Sequence, residues 1–171
     1  MNQEQIDHWL SFQERALSEL RRTGYAISGV GTLMPIAKVL VVPSFHPAVC
    51  YCVSDRIEPL NDTRYYGVKT VWRMDVDLEK LQKMVVPLAM TKQAPTIELE
   101  WIKVHPAFID KLRGKTAELH IKVDAKTRSV FADGTGYEMI IGEAKFQWQE
   151  HAPLEWSKLE EIAHELIGQF S

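Results

Sequence analysis

Glu98 and Glu100 stand two residues apart in this sequence, and so do Glu118 and His120. In an extended strand residues i and i+2 share a face, so each pair points one way. A carboxylate pair beside an imidazole has the composition of a general acid and base, provided burial moves their pKa values apart. The same alternation also makes a solvated sheet face. There Glu98, Glu100 and Glu118 would meet Lys69, Arg73 and Lys122 in cross-strand ion pairs contributing about 0.2–1 kcal/mol each. So regular an alternation makes the solvated face the expectation, and a small enzyme with a pocket formed by Glu98, Glu100, Glu118 and His120 the alternative.

A second group is cationic. Lys111, Arg113 and Lys115 surround Gly114, and Lys126 and Arg128 fall at the tip of an expected hairpin. Residues 103–128 carry seven basic against three acidic side chains, whereas residues 129–171 carry two against eight, in a chain of net charge −3. Five cations on two loops could grip phosphates, which makes a nucleic-acid binder using residues 111–128 the second alternative. No aromatic residue is interleaved with these cations, so stacking on single-stranded bases finds no support. A basic edge that keeps an open sheet from pairing is the plainer account.

The third group is His46, Cys50 and Cys52. Structural metal sites take cysteine pairs from turns, with two intervening residues, and no second cysteine pair exists here. No metal and no cofactor is expected. Cβ atoms at i and i+2 of a strand lie about 6–7 Å apart, against about 3.8 Å in a disulfide, so both cysteines are expected as free thiols. That points to a reducing compartment, the cytoplasm. The polar, acidic start of the chain (Gln3, Glu4, Gln5, Asp7) agrees, since it does not read as a secretory signal. Nucleophile-elbow and phosphate-loop patterns are absent, and residues 29–32 and 134–136 read as turns.

Periodicity supplies the elements that must hold these residues. A first helix is expected from Ile6, Trp9, Leu10, Ala16, Leu17 and Leu20, stopping at Gly24, with Phe12 off its stripe. β-Branched runs follow at 25–30, 36–42 and 48–54, then an alternating strand through Val68, Thr70, Trp72 and Met74. Asp75 or Asp77 caps a second helix with Leu78, Leu81, Met84 and Val85 inward. The next strand turns Ile97, Leu99 and Trp101 inward and Glu98 and Glu100 outward. A short helical turn spans 107–112. Strands are expected at 117–123, 128–132 and 137–148, the last with a bulge at Gly142. Ser157 and Glu160 form a capping box for a final helix with Leu159, Ile162, Ala163, Leu166, Ile167 and Phe170 on one face.

Residues 1–171 therefore read as one α+β domain. It has a mainly antiparallel sheet with N-terminal, middle and C-terminal helices packed on one face. The longest apolar stretch, Val39–Val42, is far short of a membrane span, so no membrane partner is expected. Phe12, Trp148 and Trp156, with Tyr65 and Tyr66, exceed what the apolar stripes can place, and exposed aromatic residues mark partner contacts. The leading expectation is thus a non-catalytic protein-binding domain that self-associates as a two-fold dimer. Its partner would be another protein or a second copy of itself, with Phe12, Trp148 and Trp156 at the contact and the charged segments at its rim.

Overall fold

Four consecutive residues, Ala37 to Leu40, are buried in the second strand, and Cys52 to Asp55 are buried in the third. Successive strand residues face opposite ways, so both faces of these central strands must be covered. The computed structural model describes residues 3–27, 31–44, 46–56, 64–83, 93–119 and 134–171. In chain order the elements are α1 (Gln3–Arg21), β1 (Ala26–Ile27), β2 (Gly31–Pro43), β3 (Val49–Arg56), β4 (Tyr65–Trp72), α2 (Met74–Lys83), β5 (Ile97–Lys103), α3 (Pro106–Ala117), β6 (Thr135–Ile141), β7 (Ala144–Gln149) and α4 (Ser157–Gly168). The strands form an antiparallel sheet in the order β5-β4-β3-β2-β6-β7, with β1 pairing on the start of β2. The chain is α+β, as its patterning implies.

The helices divide between the two faces instead of sharing one. Phe12, Ala16 and Leu20 of α1 and Leu81 of α2 pack with Leu40, Cys50 and Trp72. Ile109 and Leu112 of α3 and Leu159, Ile162, Ala163 and Leu166 of α4 pack with Val39, Val53, Met139, Phe146 and Trp148. Adjacent residues such as Val39 and Leu40 thus enter different cores. The continuous apolar run of β2 is the pattern of a strand covered on both sides.

α1 also sits in a different phase from the expected one. Phe12, Ala16 and Leu20 are its fully buried residues, while Leu10 is 52% exposed. Trp9 stacks on Phe12 and Trp72 at 5.9 and 5.7 Å between ring centroids, so aromatic contacts set the rotation of the helix. Lys38, buried, donates from Nζ to the carbonyl of Arg21 in the last turn of α1, where the helix dipole favours a cation. Arg21 in turn meets the buried carboxylate of Glu138 at 3.0 Å. Gly24 ends the helical turn with φ +93°, and a Cβ there would overlap the Cys52 sulfur. Only glycine suits that position.

Other expectations change in detail. The short helical turn is the twelve-residue α3, which continues through Gly114 to Ala117, and Glu118 and Leu119 follow it instead of opening a strand. Nothing lies within 4 Å of a Cβ at Gly114, so the helix passes there on its exposed side. The strand expected over 137–148 is the β6–β7 hairpin, turning at Gly142 with φ +57°. A positive φ makes a tight turn where a bulge was expected. Ser157 is the first residue of α4 and no side-chain cap forms there; Glu160 instead lies 3.3 Å from His151 Nδ1. The capping residue assigned to α2 lies inside it, since α2 starts at Met74. The strand expected at 128–132, and most of 117–123, lie outside the described residues.

Candidate binding surface beside the edge strand

The four residues of the catalytic alternative are not brought together. Glu98 pairs with Arg73, whose guanidinium also holds Asp75 at 2.8 Å, and Glu100 lies 3.7 Å from Lys69. Both glutamates are on β5 and more than half exposed. Glu118 is elsewhere, at the end of α3 beside Lys115, Lys158 and Glu161. His120 lies outside the described residues. The solvated lattice of opposite charges is what forms on β4 and β5.

The basic segment meets the acidic end of its own chain. Lys111 lies 3.0 Å from Glu165, and Lys115 lies 2.6 Å from Glu161 and 2.9 Å from Glu165, which joins α3 to α4. These two lysines hold the carboxyl of Glu165 below its ordinary pKa. Arg113 donates to the Tyr65 hydroxyl at 3.4 Å and lies 3.9 Å from Asp55. Lys126 and Arg128 lie outside the described residues.

The aromatic residues assigned to a partner contact are internal. Phe12 and Trp148 are buried, and Trp148 stacks on Tyr137 at 5.5 Å. Half-buried Trp156 packs edge-on against Phe146. Tyr65 and Tyr66 are buried as well. Cys50 and Cys52 are unbridged and fully buried, and burial pushes both thiols well above their ordinary pKa. His46, by contrast, is exposed.

Among the described residues, exposed large apolar side chains occur at Ile6, Leu10, Tyr25, Met34 and Leu154 and, two residues apart on one strand, at Leu99 and Trp101 of β5. Four consecutive residues, Glu98 to Trp101, are exposed, with Leu99 at 51% and Trp101 at 44%. Register pairs Leu99 with Thr70 and Trp101 with Val68, so both side chains project on the face that α1 covers farther along the sheet. They were expected inward. Alternation shows that they share a face, but α1 stops short of covering it at β5. Among the described residues β5 pairs only with β4, which makes it, like β7 at the other end, an edge strand of the sheet as described. β7 differs in its apolar side chains: Phe146 and Trp148 are buried under the α4 side of the core.

Between α1 and β5 runs a groove of about 760 Å³. Arg15 and Arg22 stand on its helical wall, Ile97 and Leu99 on its strand wall, and Thr23 and Thr70 at its base. The two threonine hydroxyls are 2.6 Å apart, and both residues are buried. Residues 93–95 close one side, and the next residue is anchored by Asp77. This almost fully buried carboxylate accepts from the Thr96 amide at 2.9 Å, the Thr96 hydroxyl at 2.6 Å and Trp72 Nε1 at 2.9 Å. Burial alone would raise the Asp77 pKa, but these bonds and one from Lys80 hold it below the ordinary value. Sequence reasoning did not assemble this groove. Its one local signal is Thr70, a polar residue at the buried parity of Val68 and Trp72.

Among the described residues no helix is long and apolar enough to cross a membrane. Comparison of the chain with protein families, curated proteins and solved structures finds no match.

Proposed function

We propose that this chain is a non-catalytic protein-binding domain that receives an extended segment of a partner polypeptide along the outer edge of β5. The observation that carries this reading is the exposure of Leu99 and Trp101, side by side on one face of an edge strand. An unpaired strand edge offers main-chain hydrogen bonds, and side chains alternating along it provide selectivity. The two free, buried thiols fit a cytoplasmic setting.

The partner proposed is a chain of different sequence, because the registers of a second copy centred in the exposed stretch of β5 are disfavoured. Two-fold pairing of β5 with itself keeps every side chain on its own face. Any register centred on residues 98, 99 or 100 then sets Glu98 or Glu100 against a glutamate of the other copy. Like charges directly opposed destabilise a strand pair. The segment that fits carries apolar residues toward Leu99 and Trp101 and lysine or arginine toward Glu98 and Glu100. Selecting a displayed library of random heptapeptides on the domain tests the reading. Enrichment of alternating apolar and basic peptides is expected, with binding lost in Trp101→Asp. Enriched peptides that bind Trp101→Asp equally well would refute it.

A further inference from the structure

The two edge strands of the sheet differ in what a second copy of the chain would meet. Among the described residues β7 pairs only with β6. The Glu150 amide donates to the Thr135 carbonyl, so the even-numbered residues of β7 turn their backbone groups toward β6. Lys145 and Gln147 therefore turn theirs outward. We infer that β7 pairs antiparallel with β7 of a second copy of this chain, centred on Phe146, so that the two sheets join edge to edge. The two-fold axis sets Lys145 of each copy opposite Gln147 of the other, and each such pair can exchange both main-chain hydrogen bonds.

Charge separates this edge from β5. β7, Ala144–Gln149, carries one charged side chain, Lys145. Exposed charges keep edge strands apart, but Glu138 of the same chain already lies 3.0 Å from Lys145 and compensates it. Across the pair Lys145 meets a neutral glutamine, Phe146 meets Phe146 and Ala144 meets Trp148, so no like charges are opposed. On β5 the same symmetry opposes glutamates. Two further observations favour a second copy here. The Trp148 indole N–H is buried and meets no acceptor, a costly state, and a second chain along β7 brings carbonyls to that strand. Leu154, 88% exposed, lies two residues before Trp156, whose ring packs edge-on against Phe146. It is an apolar side chain that a homodimer contact can cover.

Light scattering on the full chain from about 1 to 100 µM reads the association. The mass is expected to rise toward twice that of one chain. Gln147→Lys opposes cations across both pairs while offering Glu138 a further donor within its own chain. It should weaken the dimer by about tenfold or more. Gln147→Pro removes an outward amide and spares the ladder to β6, and it should keep the mass of one chain throughout. Circular dichroism checks that both variants fold. Glu98→Lys/Glu100→Lys, on the opposite edge, should dimerise as the wild type does. A wild type that keeps the mass of one chain at the highest concentration would overturn the inference. So would a dimer that either Gln147 substitution leaves unchanged, or one lost in the β5 variant. Peptide selection reads β5 and the light scattering reads β7, so either proposal can fail alone.

Discussion

Trp72 Nε1 donates a 2.9 Å hydrogen bond to Asp77, which links the end of β4 to α2 through a carboxylate that is 1% exposed. The same carboxylate takes the amide and hydroxyl of Thr96, just ahead of β5. One acidic residue therefore fixes the approach to the strand that carries the proposed interface.

Asp77→Asn should destabilise the domain by about 2–4 kcal/mol at pH 7, because buried donors lose a charged acceptor. The Asp77 pKa is lower folded than unfolded, so its contribution is fully present above the unfolded value, about 3.9. It is lost as pH falls through the folded value. Urea unfolding at pH 7 and near pH 2 should therefore show a gap between wild type and variant that closes in acid. A gap of equal size at both pH values would mean that the lost charge is not its cause.

Two glycines should respond with opposite signs. Gly24→Ala places a methyl group against the Cys52 sulfur at positive φ and should cost more than about 2 kcal/mol. Gly114→Ala, inside α3 with nothing within 4 Å, should stabilise by about 0.5–1 kcal/mol. Thermal melts of the two variants check both at once.

Phe12→Ala should cost about 3–5 kcal/mol and Leu10→Ala less than about 1, since the first side chain is buried and the second half exposed. On the other face, Leu166→Ala should cost about 2–5 kcal/mol, because the side chain is wholly buried under α4. Glu165→Ala, which removes an exposed ion pair to Lys111 and a half-buried one to Lys115, should cost less than about 1 kcal/mol, and less still in high salt. Denaturant midpoints that failed to separate these pairs would contradict the helical phases described.

What the sequence made legible followed from physical locality. α4 was readable because an amphipathic surface helix records its buried stripe in its own residues, Leu159, Ile162, Ala163 and Leu166. The phase of α1 was not. Its expected stripe held Trp9, Ala16 and Leu20 together with Ile6, Leu10 and Leu17 but left out Phe12, and the rotation that buries Phe12 depends on Trp72, about sixty residues away. Charge blocks at 103–128 and 129–171 were visible, but nothing local could show that Lys115 meets Glu161 within one chain. For β5 the pattern showed correctly that Leu99 and Trp101 share a face, though not what would cover it. The groove joins residues 15–24 to residues 93–99, and no window of sequence contains both.

The central claim, that the β5 edge takes an alternating apolar and basic segment, is tested most directly by hydrogen exchange at the β5 amides. The probes are two capped peptides, one alternating valine with lysine and the other valine with glutamate. The lysine peptide should slow exchange along 97–103 in the wild type, and the glutamate peptide should not. Glu98→Lys/Glu100→Lys should reverse that preference, since it alters only exposed side chains of the edge strand. Equal effects of both peptides, or β5 exchange that neither changes, would contradict the account.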